Sequence, residues 1–190
     1  MRCVLGYIDA HTHTYFRGPE DLKAMFDAGI EGVVVCSFFP AKPSGQSTFI
    51  DLFEWLVTAE SQRLRGYRIK PYVAVGVHPA TVSNVSYHDV LRRMNELIKE
   101  GLAYAVGEVG LEEASAAEEE VFKAMISLAS EHSKPLIVHT PKANKEVVVK
   151  RILNILSEAR AEPSKVVVDH LTPKLVDVVK SFGVVCGLTL

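Results

Sequence analysis

Only three cysteines occur in the 190 residues, Cys3, Cys36 and Cys186. Their wide separation excludes a Cys-x-x-Cys metal knuckle, and their odd number argues against a disulfide framework, so a reducing, cytoplasmic setting is expected. No apolar run approaches the roughly 18 residues that a spanning helix needs, and the N-terminal MRCVLGYIDAH reaches Asp9 and His11 before a signal-peptide core could form. The expectation is a chain that is neither exported nor partnered with a membrane. Positive charge is not in excess either. Lys and Arg number 21 against 23 Asp and Glu, for a formal net charge of −2, which excludes a global basic field that gathers polyanions; any nucleic-acid binding has to be local or metal-assisted. No linker or low-complexity stretch interrupts the chain, and its length suits one domain with one core.

What is present is an alternation. Short β-branched runs at 4–9, 33–37, 71–77, 103–109, 135–139, 165–169 and 184–189 are separated by longer segments of helical periodicity, which is the sequence form of repeated βα units around a parallel sheet. Pro19 starts the first helical segment, with Leu22, Met25 and Phe26 on one face and Gly29 as its stop. Residues 47–65 form the second. Ser86 with Asp89, and Ser115 with Glu118, have capping-box spacing; Asn144 and Thr172-Pro173 are candidate starts of the last two helices. Almost continuous apolar stretches such as VVVC and KVVVDH suit a sheet buried on both faces. A closed barrel and an open doubly wound sheet both satisfy this pattern.

The ionisable residues favour the barrel. Of seven histidines, five fall at the carboxyl ends of predicted strands: His11 and His13, His78, His139 and His170. Glu108 takes the matching place in the fourth unit, and one βα unit of 30 or 31 residues separates His78, Glu108, His139 and His170 in turn. The βα loops of a barrel converge on one rim, whereas an open sheet would spread these side chains across several strands. On an extended backbone His11 and His13 point to the same side and can approach one ion together, and Asp9 shares their parity. A carboxylate from Glu108 among imidazoles lets two ions share a ligand, and nitrogen and oxygen donors without thiolate suit zinc, manganese, iron or nickel, and magnesium less well.

Each feature has a plainer explanation. A lone His-x-His is most often a polar loop, His139 and His170 can be hydrogen-bonded strand ends, His78 can be a turn residue in GVHP, and Glu108 can pair with a lysine. Asp169 has opposite parity to His170 and is expected to point away, as a structural or supporting group. Lys142 and Lys145 could meet a phosphate, a solvated loop being the simpler reading. The joint occurrence of four ligand-competent strand ends on one rim is what raises the metal reading.

Taken together, DAHTH at 9–13, GVHP at 76–79, GEVGL at 107–111, VHT at 138–140 and VDH at 168–170 resemble the TatD family of metal-dependent hydrolases, of the amidohydrolase superfamily, along the whole chain. The resemblance implies a TIM-type barrel, one or two divalent metal ions (zinc, manganese or magnesium), and hydrolysis of phosphodiester bonds by a metal-activated water, commonly as a deoxyribonuclease acting on nucleic acid. Carried over residue by residue, it implies that His11 and His13 bind one metal, Glu108 bridges or binds both, His139 and His170 hold the second, and His78 lines the pocket. GLTL after the seventh strand and HTPKANK after the fifth resemble an archaeal-looking branch; bacterial members usually carry an arginine where Pro141 stands.

The family also places an aspartate at the end of an eighth strand, as metal ligand and general base, and this chain stops at Leu190. The expectation is an incomplete α/β barrel of about seven βα units. It is a single TatD-like domain over 1–190 that lacks the eighth strand and its aspartate, with open sheet edges available for self-association. Two other functions are carried forward. One is hydrolysis of a small amide, lactone or phosphoester, as elsewhere in the superfamily or in the seven-stranded PHP phosphoesterases, although GEVGL and the lack of Thr-Asp-His after the second strand speak against the latter. The other is a catalytically impaired metal-binding protein.

Overall fold

The computed structural model describes residues 6–83 and 85–188. Seven strands, β1 (Tyr7–Thr12), β2 (Ile30–Cys36), β3 (Lys70–Val75), β4 (Ala105–Gly110), β5 (Leu136–His139), β6 (Val166–Val168) and β7 (Val185–Cys186), form one parallel sheet in sequence order. The helices between them are α1 (Pro19–Asp27), α2 (Gln46–Trp55), α3 (Ser61–Gly66), α4 (His88–Lys99), α5 (Ala116–Glu131), α6 (Lys145–Glu158) and α7 (Pro173–Lys180). A π-helical turn, Leu56–Glu60, joins α2 to α3. The alternation read from the sequence is therefore the architecture. Among the described residues, no helix is long and apolar enough to cross a membrane.

The local signals act unevenly. Pro19 opens α1 behind Gly18, whose amide donates to Asp21 Oδ2 at 3.1 Å. Ser115 and Glu118 close a reciprocal capping box on α5, at 3.3 and 3.1 Å. The box expected from Ser86 and Asp89 does not form: Tyr87 occupies the cap position of α4, and Asp89 Oδ2 accepts from Gln46 Nε2 at 2.7 Å instead. Asn144 does precede α6, but in a left-handed conformation (φ 48°) with no cap bond from its side chain. Strand β1 runs to Thr12, past the Asp9 boundary expected from the apolar run, which puts His11 inside the strand. Residues 4, 5 and 189 of the expected outer strands, and Cys3, lie outside the described residues.

The two faces of the sheet carry different side chains. Val33, Val35, Val73, Val75, Val106 and Val109 pack under the helices against Phe53, Met94, Phe122 and Ile152 in one large core. The residues alternating with them on the inner face are smaller: Cys36, Ala74 and Ala105, with Ile137, make a second, separate cluster. Small groups on that face let the strands curl toward one another. The curl is measurable: His11 on β1 lies 2.6 Å from Asp169 beyond β6, although five strand spacings of about 4.8 Å would hold them over 20 Å apart in a flat sheet. The fold is a curled half-barrel of the TIM type, and its inner rim is where the strand ends meet. Two glycines make this close approach possible near Glu108. A Cβ on Gly107 would lie 2.7 Å from Ile137 Cβ, and Gly110 holds φ at 140° with His139 O only 2.6 Å from where its Cβ would be.

Candidate metal centre

Glu108, in the middle of β4 and 1% exposed, is the hub of the rim. Its two oxygens face different imidazoles. Oε2 lies 3.2 Å from His11 Nε2 and 3.4 Å from His13 Nε2. Oε1 lies 2.8 Å from His139 Nδ1, 3.0 Å from His170 Nε2 and 3.8 Å from His78 Nε2. Donor atoms of His11, His13 and Glu108, and of His78, Glu108 and His139, all lie within 4.8 Å of one another in each group. All six residues singled out from the sequence therefore meet at one place. The distribution of Glu108's oxygens, one toward each imidazole group, is the arrangement a carboxylate shared by two cations requires.

Backbone and carboxylate partners settle which ring nitrogen points inward. Asp169 Oδ2 can only accept, so the 2.6 Å contact puts a proton on His11 Nδ1 and turns Nε2 toward the centre. Cys36 O does the same for His13, taking the Nδ1 proton at 2.9 Å. His78 is the opposite case. Its Nδ1 accepts the Ala80 amide at 3.1 Å, so in the neutral ring the proton sits on Nε2, which faces Glu108. His78 thus presents Nε2–H to the cavity in its neutral form, whereas His11 and His13, whose Nδ1 protons are held by Asp169 and Cys36 O, have Nε2 as the atom that a cation would displace a proton from and bind.

The electrostatics follow. Burial alone would lift the Glu108 carboxyl, but hydrogen bonds from His11, His13, His139 and His170 outweigh it and hold the group far below the usual carboxylate range. Burial disfavours a charged His11, yet its bonds to Asp169 and Glu108 keep it well above the ordinary imidazole range. For His78 burial dominates, and its pKa falls to about 3 despite Glu108. The donor set is nitrogen-rich around one buried carboxylate, and its deprotonated form suits a divalent cation.

Asp169 corrects one expectation. It reaches the site alongside His170, because β6 ends at Val168 and His170 adopts φ 58°, so strand alternation no longer applies to this pair. Asp9 turns to its own strand, accepting the His11 amide at 3.2 Å. Lys145 donates to Thr140 O at 3.3 Å, Thr140 Oγ1 at 2.9 Å and His170 O at 2.5 Å, bracing the loop that carries His170. Lys142 is exposed. Two residues escaped the sequence reading. Glu112 Oε2 meets His139 Nε2 at 2.9 Å, and Tyr15 hydroxyl lies 3.3 Å from His13 Nδ1 while donating to Phe38 O at 2.6 Å. Both had a signal: Glu112 shares the parity of Glu108 just past the strand end in GEVGLE, and Tyr15 continues the parity of His11 and His13.

Strand order, curl and this set of side chains match a known pattern, and the family model of TatD-related DNases covers residues 8–189. This chain belongs to the TatD-related DNase family. An uncharacterized metal-dependent hydrolase of Methanocaldococcus jannaschii is 33% identical to it over 183 residues, 96% of this chain and 72% of that protein. The crystal structure of a TatD-like protein from Archaeoglobus fulgidus superposes with a TM-score of 0.88 at 32% identity, over 96% of this chain and 76% of that one. A TatD homologue of Escherichia coli shares the fold, with a TM-score of 0.66 at 20% identity over 95% of this chain and 66% of its own. Membership of the TatD family agrees with the half-barrel and with the rim of imidazoles gathered on one carboxylate.

Proposed function

We propose that this TatD-family metal-dependent hydrolase cleaves phosphodiester bonds, with a nucleic-acid strand as its substrate. The observation that carries the proposal is Glu108, buried and turned with one oxygen toward His11 and His13 and the other toward His139 and His170. His11 and His13 would hold one divalent ion through Nε2, His139 and His170 a second, and Glu108 would bridge them. Zinc, manganese and magnesium all accept such donors, the first two more readily. When bound, such ions acidify water and neutralise charge on phosphoryl oxygens.

The chain's own residues supply the rest. Asp169 and Cys36 O fix the rings of His11 and His13, so the donor atoms are oriented before a cation arrives. His78, neutral because it is buried, offers Nε2–H to an oxygen of the substrate without adding a competing charge. Lys145 braces the Thr140 and His170 carbonyls and takes no part as a phosphate contact. The name of the matched family, DNase, supports the choice of nucleic acid over a small ester.

Elemental analysis after exposure to zinc or manganese, combined with chelator-sensitive hydrolysis of DNA and of bis(4-nitrophenyl) phosphate, tests this function. More than about half an ion per chain is expected, together with metal-dependent turnover that Glu108→Gln abolishes. A metal-loaded chain that leaves every phosphodiester intact, or that hydrolyses only lactones or amides, overturns it.

A further inference from the structure

Beside His13 the surface changes character. Phe16, Phe39 and Trp55 are 56%, 39% and 41% exposed, an unusual outlay of large aromatic area on one side of a site. Together with Leu52, Thr48 and Asp51 they line a groove of about 400 Å³. Tyr15 ties this groove to the rim: its ring stands edge-on to His13 at 5.9 Å and edge-on to Trp55 at 5.8 Å, and touches Phe16 at 4.6 Å. His13 itself is 5.4 Å from the Phe38 ring and 6.5 Å from Phe16. An unbroken series of π-faces thus leads from the imidazoles at Glu108 out to Trp55. The hydroxyl of Tyr15, donated to Phe38 O, fixes the position of that series.

Resting on the phosphodiesterase function proposed above, we infer that this groove seats one unpaired nucleobase adjacent to the phosphate held at the rim. Three features select that occupant. Flat aromatic walls, as opposed to branched aliphatic ones, match the faces of a base, and stacking on them tolerates any base. The Thr48 hydroxyl and the Asp51 carboxylate supply an acceptor edge for the amino groups of cytosine, adenine or guanine. At about 400 Å³ the groove falls in the range of small-ligand sites, roughly 300–1,000 Å³, which suits a single base and not a second copy of the chain. A base inside a duplex cannot enter, so a strand reaches the groove only where it is unpaired.

Trp55 is the only tryptophan in the chain, and its fluorescence reports the groove directly. We would titrate the manganese-loaded protein with a phosphorothioate-linked single-stranded hexanucleotide, and with an abasic strand of the same length, and measure hydrolysis of bis(4-nitrophenyl) phosphate in parallel. Saturable quenching by the hexanucleotide and none by the abasic strand is expected, with Phe16→Ala and Phe39→Ala each lowering affinity about 5- to 100-fold. Circular dichroism of the two variants establishes that they are folded. Equal quenching by both strands, or none by either while phosphodiesters are still hydrolysed, overturns the base site and leaves the enzymatic function standing. Base-dependent quenching without hydrolysis of any phosphodiester upholds the base site and overturns the enzymatic function.

Discussion

Asp169 Oδ2 accepts a 2.6 Å hydrogen bond from His11 Nδ1, joining the loop after the sixth strand to the carboxyl end of the first across the open inner face of the half-barrel. The contact serves structure and chemistry together. It ties the first strand to the end of the sixth across the curl of the sheet, and it leaves His11 Nε2 as the atom that faces Glu108. Asp169 is itself kept below the usual aspartate range; burial acts against this, and the bond from His11 prevails.

Replacing this carboxylate while keeping its shape isolates the chemical part. In Asp169→Asn the side chain can still accept from Nδ1 but no longer stabilises a polarised imidazole, so affinity for manganese or zinc should fall about 10- to 100-fold. Competition with a chromophoric chelator measures it. Unchanged affinity would mean that His11 is oriented by the strand alone.

Glu108→Gln removes the charge that both imidazole groups share. One amide oxygen cannot serve two cations, so the metal content of the purified variant should drop by at least about one ion per chain relative to the parent. Mass spectrometry of the metal and isothermal titration read the same quantity. Retention of the full complement would place the bridging role elsewhere.

The metal-free protein should lose stability on mild acidification because of His78. Its folded pKa, about 3, lies below the ordinary 6.5, so between those values the unfolded chain binds a proton that the fold refuses. Stability therefore declines as pH falls through that window, at up to about 1.4 kcal/mol per unit. The lowered carboxyls of Glu108 and Asp169 act in the same direction below their ordinary values of 4.5 and 3.8. His11, raised, contributes fully below about 6.5 and loses its contribution only as pH climbs. Urea unfolding in the presence of chelator should show this slope between pH 6.5 and 4.5, and His78→Asn should flatten it. An identical slope in the variant would assign the acid sensitivity to other groups.

Lys145→Met keeps the length of the side chain and removes three hydrogen bonds to Thr140 and His170. A loss of about 1–2 kcal/mol in unfolding free energy is expected, along with faster amide exchange at residues 169–171. A variant as stable and as protected as the parent would return Lys145 to the role of a solvated loop residue.

Much of this molecule was legible without coordinates. Strand and helix order followed from the switch between β-branched runs and helical periodicity, because those patterns record which faces are buried. The rim residues followed from their one-unit spacing, since every βα repeat returns the chain to the same edge of the sheet. What stayed hidden depended on contacts between distant segments. The Ser86 cap lost Asp89 to Gln46, 43 residues away in sequence, and the parity assigned to Asp169 failed because His170 sits at φ 58° after a three-residue strand. Residue types and their recurrence therefore determined that imidazoles and one carboxylate would share an edge. Only the tertiary structure decided how: the curl of the sheet brought Asp169 to His11, split the two oxygens of Glu108 between two imidazole groups, and gave His78 the opposite tautomer, because hydrogen-bond direction is set by the partner that folding supplies.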